Sequence, residues 1–410
     1  MNLKYLIVPL ALLAKILYDS NEWRAVVGPP IRAGNGPKRG GKRVSEVGST
    51  SKSGGESQGE GIPCVTTPFI YPSIGPGGFE DIDVANRVAF SGLDDRRSHK
   101  LFDATLLGSA RSGALVYMRE SDTTWHVLPT NHHANYDKQQ RFHPHGLAAY
   151  MGPAPKDPEA TSAQADVPHL LVVNHAVGGD VVEHYVVANE SGFEEALLVG
   201  TYSDPLFVRL NDVAPLSDRS FYATNYQNYD SSQWMNLAET LLKLPLQYVV
   251  HCVMETPSVA RCSKASEHFP QVNSIVLTAD RRRAFVTDPL SMLIYVFDVD
   301  ASSGKLTLTN SIATPEGGCD NLFLMDDGNM LAACHPKLLS FIQHAENPRS
   351  MAPSLVLHVD VTSLETKVVL ADPTGEHLSA SSSAAVLGDR LLVGAVFDPG
   401  FMTCTDWRNF

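Results

Sequence analysis

The chain has 410 residues, 43% of them hydrophobic, which is enough to bury a large core in one big domain or two smaller ones. Its formal net charge of -13 argues against a nucleic-acid binder. The charge is also uneven, because residues 1–60 carry nine Lys/Arg against five Asp/Glu and leave 23 against 40 for the remainder. An acidic body suits oxygen-ligated cations, and the composition excludes a membrane bundle.

The N-terminal stretch MNLKYLIVPLALLAKILYDSN places an apolar run from Tyr5 to Ala14 between Lys4 and Lys15. That length fits a signal peptide better than a membrane-spanning helix, and no small-x-small cleavage site follows, so residues 1–23 read as a signal peptide or signal anchor. The expected compartment is the secretory pathway, with the protein extracellular or membrane-anchored.

Residues 24–63 are rich in Gly, Ser and basic residues with almost no apolar periodicity, and they read as a flexible linker. Two look-alike motifs fall inside it. GPKRGGKR, from Gly36, mimics a phosphate loop but has Arg43 where Ser or Thr must bind the metal. GESQG, from Gly55, matches a nucleophile elbow, which works only at a strand-to-helix turn on a sheet.

From Cys64 onward the chain consists of short apolar strands broken by turns, among them VANRVAF, GALVYMRE, HLLVVNH, FYATNY, MLIYVFDVD, NLFLMDDGNMLAAC and AAVLGDRLLVGAVF. Such spacing indicates an all-β architecture. The 341 residues from 64 to 404 divide into six blades of four strands, at about 55 residues each, so the expected fold is a six-bladed β-propeller over residues 64–410. One amphipathic helix stands out between Ser231 and Pro245, with Trp234, Leu237, Leu241 and Leu244 at helical spacing.

A propeller gathers the starts of its innermost strands around a central channel. Five strand starts carry polar residues: FEDIDV with Glu80 and Asp81, FHPHGL with His143 and His145, RLNDVAP with Asn211 and Asp212, QVNSIVL with Asn273, and GCDNLFL with Asp320 and Asn321. Buried oxygens of this number need compensation, and calcium, with six to eight oxygen ligands, supplies it. Neighbours in a strand face opposite ways, so one member of each pair can serve an upper ion and the other a deeper one. In HPHG, proline and glycine place the segment at a strand end or loop.

The series FEDIDV, FHPHGL, LLVVNH, LNDVAPLSDRSFYATN, NSIVLTADRRRAFV, CDNLFL, AACHP and LLVGAVF resembles, in this order, the serum paraoxonase/arylesterase family across nearly all of residues 64–404. The resemblance implies a six-bladed propeller with two calcium ions in its tunnel, hydrolysing lactones, aryl esters and in some members phosphotriesters. It implies Glu80, Asn211, Asn273, Asp320 and Asn321 as ligands of a catalytic ion, and Asp81, Asp212 and the Leu147 carbonyl as ligands of a structural one. His145 and His175 correspond to the family's proposed histidine dyad, and His143 reads as a solvated neighbour. Cys64 and Cys404 correspond to the cysteines that tie the first and last strands, and Cys334 to a free cysteine. Cys252 and Cys262 form either an extra disulfide or two buried thiols.

Three features depart from the family pattern: the long linker, the insertion-like residues 153–166, and TNYQNY where relatives carry an Asp-His pair. The expected partners are a small ester or lactone and, through the N-terminus and residues 231–245, a membrane or lipid-particle surface. Asn189, in the sequon NES, is the expected glycosylation site. A non-catalytic propeller that keeps calcium for stability is the competing reading. A zinc hydrolase on His132, His133, His143 and His145 lacks both HExxH spacing and a supporting carboxylate cluster.

Overall fold

Turn chemistry and apolar alternation set the strands, and the strands fall into six antiparallel sheets in the computed structural model, which describes residues 31–33, 62–71, 73–100, 104–131, 142–154, 165–190, 193–228 and 233–409. The first hairpin illustrates the local rule. Asn86 and Arg87 both have positive φ, 50° and 63°, and join Gly78–Ala85 to Val88–Asp94 through a two-residue turn; that backbone twist matches the twist of the strands it connects.

The sheets are the blades of a six-bladed propeller. Their innermost strands are Gly78–Ala85, Pro144–Gly152, Leu210–Ser217, Ile275–Leu277, Gly318–Leu324 and Ser381–Leu387, and each touches the next around the ring. Blade 6 is closed by the chain's beginning: Ile62–Pro68 pairs antiparallel with Gly400–Cys404. A short strand, Ile31–Ala33, pairs parallel with Ile62–Cys64, inside the stretch read as linker. The apolar faces pack between adjacent blades, for example Phe79, Trp125 and Phe401 where blade 6 meets blade 1.

Three disulfides staple register partners. Cys64–Cys404 closes the ring across a sequence separation of 340, worth on the order of 5 kcal/mol in the loop-entropy description. Cys252–Cys262 links two strands of blade 3. Cys334, expected to be a free thiol, is instead bonded to Cys319, because the two face each other across the inner hairpin of blade 5.

Three α-helices decorate the propeller among the described residues: Ala104–Leu107, Gln233–Leu242 and Leu338–Glu346. The second is the expected amphipathic helix; Glu239 faces the body and is buried, while Met235 and Leu242 are exposed. The other two have no strong periodic signal in the sequence. The leader and most of the linker lie outside the described residues, as do His132, His133 and most of the 153–166 insertion.

Candidate metal centre and histidine relay

The inner strands are irregular where the polar residues sit. Pairing is interrupted between Phe79 and Ile82, Pro144 and Leu147, Leu210 and Val213, Cys319 and Leu322, and Ser381 and Ser383. The interrupted positions hold Glu80–Asp81, His145–Gly146, Asn211–Asp212, Asp320–Asn321 and Ser382. A local break in the ladder re-aims side chains that would otherwise alternate regularly, so five blades turn polar groups toward the axis. Gly146 is required there: a Cβ on it would lie 2.4 Å from the Asn211 carbonyl oxygen and 2.6 Å from Asp212 Cα.

At the upper level, Asn321 Nδ2 donates to the Glu80 carbonyl oxygen at 2.8 Å and to Glu80 Oε1 at 2.9 Å. His145 Nε2 lies 3.5 Å from Glu80 Oε1 and 3.5 Å from Asn211 Nδ2. Asp320 Oδ2 meets His335 Nε2 at 2.8 Å, and Thr224 and Thr287 hydroxyls hold the carbonyls of Asn273 and Asp320. The structure thus brings Glu80, Asn211 and Asn321 into direct or one-residue contact, with Asp320 beside Asn321 on the same strand and Asn273 two residues before the inner strand Ile275–Leu277.

Four buried side-chain oxygens here have no hydrogen-bond partner: Glu80 Oε2, Asn211 Oδ1, Asn273 Oδ1 and Asn321 Oδ1. Each such orphan costs about 1–3 kcal/mol, and more for the carboxylate. Burial would raise the Glu80 carboxyl, yet the His145 ring and the Arg96 guanidinium beside it bring it down to about 2. It is an anion at neutral pH, and Arg96 Nη2 stands 3.7 Å from Oε2.

At the deeper level, Asp212 accepts from Ser274 Oγ at 2.7 Å, Ile275 N at 2.8 Å and Val213 N at 2.7 Å. Asp81 accepts from Leu147 N at 2.8 Å, and Asp83 from Ala149 N at 2.8 Å. Burial, with the charges of Asp212 and Glu80, pushes Asp81 well up; burial pushes Asp212 up to about 7 and Asp83 up to about 6. Three carboxyls crowded into one buried channel want a cation. Asp81, Asp83, Leu147 and Asp212 also line a 240 Å³ cavity with Tyr150 and Arg281, at the lower end of the tunnel.

The two histidines singled out from the sequence are in contact: His145 Nδ1 is 2.8 Å from His175 Nε2. His175 Nδ1 in turn meets Asp180 Oδ1 at 2.7 Å, and Asp180 Oδ2 accepts from Leu210 N at 2.6 Å. Burial lowers both histidines, His175 to about 3, so both are neutral at neutral pH. The tautomers then follow. Asp180 can only accept, so His175 carries its proton on Nδ1; its Nε2 must accept from His145 Nδ1–H, leaving the lone pair of His145 on Nε2, toward Glu80 and Asn211.

His143, expected to be solvated, is fully buried. It meets Asp94 Oδ1 through Nδ1 at 3.2 Å and the Leu107 carbonyl oxygen through Nε2 at 3.2 Å. His132 and His133, the other members of the four-histidine set considered from sequence with His145, lie outside the described residues. Tyr226, the first departure in TNYQNY, packs edge-on to His145 at 6.0 Å. The glycosylation candidate Asn189 pairs with Glu194 in the outer hairpin of blade 2, and its side chain lies outside the described residues.

Asp180, Arg96, Ser274, Ser382 and His335 were not read from the sequence. Asp180 had a signal: the turn at Gly178 and Gly179, with φ of 113° and 133°, sets His175 opposite Asp180 in register. Arg96 reaches the site from a loop, Ser274 and Ser382 from strand starts and His335 from the end of the strand Met330–His335, none with a periodic mark.

The Arylesterase family profile matches residues 113–404. Serum paraoxonase/arylesterase 1 of Mus musculus is 26% identical over 260 residues, and that of Rattus norvegicus 28% over 262; each match covers 62% of this chain and 66% of the relative. A gluconolactonase of Xanthomonas campestris is similar in structure at a TM-score of 0.46 and 14% identity, over 81% of this chain and 87% of that one. Glu80 and Asp81 precede the matched span, and the ring of blades brings them to the residues inside it.

Proposed function

The chain belongs to the arylesterase family, and from that premise we propose that it is a calcium-dependent hydrolase of aryl esters and lactones, with His145 as the base that activates water. The observation that carries this reading is the group of four buried oxygens that accept no hydrogen bond, on Glu80, Asn211, Asn273 and Asn321. An all-oxygen set with amide members suits calcium and disfavours zinc. Glu80, Asn211, Asn273, Asp320 and Asn321 would hold a catalytic ion, and Asp81, Asp212 and the Leu147 carbonyl a structural one.

Calcium bound at the upper level would polarise an ester carbonyl and neutralise charge developing on its oxygen. The rest falls to the chain's own groups. His145 Nε2 takes a proton from water, because its lone pair faces the centre and its other nitrogen is already committed to His175. Asp180 keeps His175 in the tautomer that accepts from His145, and it stabilises positive charge appearing on the pair. Asn211 Nδ2, 3.5 Å from His145 Nε2, and Tyr226 against the ring fix its orientation. The Asn174 side chain accepts from His143 N at 2.9 Å and His175 N donates to the His143 carbonyl at 3.1 Å, which ties the two histidine strands together.

Three disulfides support an oxidising compartment, consistent with export. The exposed Met235 and Leu242 of the helix Gln233–Leu242, with the apolar leader, support contact with a lipid surface from which apolar esters are drawn. Assay of phenyl acetate and a δ-lactone with purified protein tests the hydrolase against the non-catalytic calcium propeller: turnover of either supports it, and turnover of neither, in folded protein saturated with calcium, contradicts it.

A further inference from the structure

Behind the histidine relay lies a second cluster that the reading above does not use. Asp94, His99 and His143 are each fully buried. Asp94 Oδ2 meets His99 Nε2 at 2.8 Å, Asp94 Oδ1 meets His143 Nδ1 at 3.2 Å, and the two rings pack edge to face with centroids 4.8 Å apart. One donor atom from each of the three lies within 4.8 Å of the other two.

The His143 ring poses a proton problem. Both its nitrogens face oxygen acceptors, the Asp94 carboxylate and the Leu107 carbonyl, each at 3.2 Å. An imidazolium would satisfy both contacts, whereas a neutral ring has one N–H and would set a lone pair against an oxygen at the other. A cation between His143 Nδ1 and Asp94 removes the conflict and leaves Nε2–H for Leu107, the outer hydrogen bond that orients a metal-bound histidine. Two imidazoles and a carboxylate are the donor set of zinc, at three of its four tetrahedral positions, with a water for the fourth. They are a poor set for calcium.

We propose that Asp94, His99 and His143 form a zinc site, distinct from the calcium level and structural in role. It would fasten the loop after Val88–Asp94 to the start of the inner strand of blade 2, one residue before Pro144 and two before His145. Arg96 Nη2, from the same loop, already donates to the Pro144 carbonyl at 2.9 Å. Gly113 leaves the room, since a Cβ there would sit 2.7 Å from Pro144 Cδ and 3.3 Å from Asp94 Oδ1. The inference does not rest on the hydrolase reading.

The test is metal content and cobalt spectroscopy on full-length protein kept in calcium buffer. After zinc loading and dialysis, wild type should retain one zinc per chain, and cobalt in its place should show the intense visible bands of a tetrahedral nitrogen–oxygen site. His99→Gln and His143→Asn should each lower bound zinc at least tenfold and abolish the bands. His99→Cys, which supplies a thiolate, should restore zinc and add a near-ultraviolet charge-transfer band; His175→Gln should keep both signals. Less than a tenth of an equivalent of zinc in wild type overturns the proposal, a result that needs no variant to fold. So do zinc and cobalt bands that survive in both His99→Gln and His143→Asn, or that vanish in His175→Gln alone.

Discussion

Asn321 and Glu80 stand 241 positions apart in sequence, yet the Asn321 amide donates to both the Glu80 carbonyl and its carboxylate, at 2.8 and 2.9 Å. They belong to blades 5 and 1, which blade 6 separates, so the contact runs close to the propeller axis. It also spends the Asn321 N–H donors on Glu80 and leaves Asn321 Oδ1 without a partner. An amide used this way presents an acceptor to the tunnel, which is the role a calcium ligand requires.

Removing one upper oxygen should therefore abolish turnover without unfolding the ring. Asn273→Ala and Asp320→Ala are expected to lower kcat/KM for phenyl acetate at least 100-fold while retaining the far-ultraviolet spectrum of the wild type. A variant within a few-fold of wild type would remove that residue from the catalytic level.

Asp212 does different work, because it holds Ser274, Ile275 and Val213 as well as facing Asp81. Asp212→Ala strands those donors at a cost of about 3 kcal/mol, so its Tm should fall by at least roughly 5 °C and rise less on adding calcium. An unchanged Tm would contradict the assignment of a structural level.

His145→Gln removes the base and should cost on the order of 10² to 10⁴ in turnover. Asp180→Asn is the sharper test of the relay: it leaves both rings in place but permits the wrong tautomer of His175, and a loss on the order of 10² or more is expected. Near-normal kinetics in Asp180→Asn would show that the carboxylate does not set the proton positions.

The Cys319–Cys334 bond sits directly before Asp320 and Asn321 on one strand and before His335 on the other. Replacing both cysteines by alanine should cost on the order of 3 kcal/mol and weaken calcium binding, read as a higher calcium concentration for half-maximal activity. An unaltered calcium requirement would confine the bond to a stabilising role.

His184, in blade 2, is lowered by burial and by His169 to about 4. Between that value and the ordinary histidine range near 6.5 the unfolded chain binds more protons than the folded one, so stability is full above that range and is lost as pH falls through the interval. His184→Gln should flatten the slope of Tm between pH 6.5 and 4; an unchanged slope would place the titration elsewhere.

Much of this was legible because propeller physics is local. Alternating strands, two-residue turns and polar residues at strand starts identify the blades and point to Glu80, Asn211, Asn273, Asp320 and Asn321. Cross-blade partners were not legible, since Ser382 Oγ reaches the Glu80 carbonyl from 302 positions away and nothing in a serine-rich strand start marks it. Cys334 and His143 were misread for the same reason. Their partners, Cys319 and Asp94, are set by hairpin register and by loop packing, and sequence spacing alone carries neither.

Stripping the protein with EGTA and following phenyl acetate and δ-lactone turnover on re-addition of metal shows whether the upper oxygens of Glu80, Asn211, Asn273 and Asn321 hold a calcium ion needed for hydrolysis. One equivalent of zinc per chain is supplied in every arm, so that only calcium varies. Activity should be lost on stripping, stay lost with zinc alone, and return when calcium is added. Full activity after exhaustive stripping, or recovery with zinc alone, would contradict it.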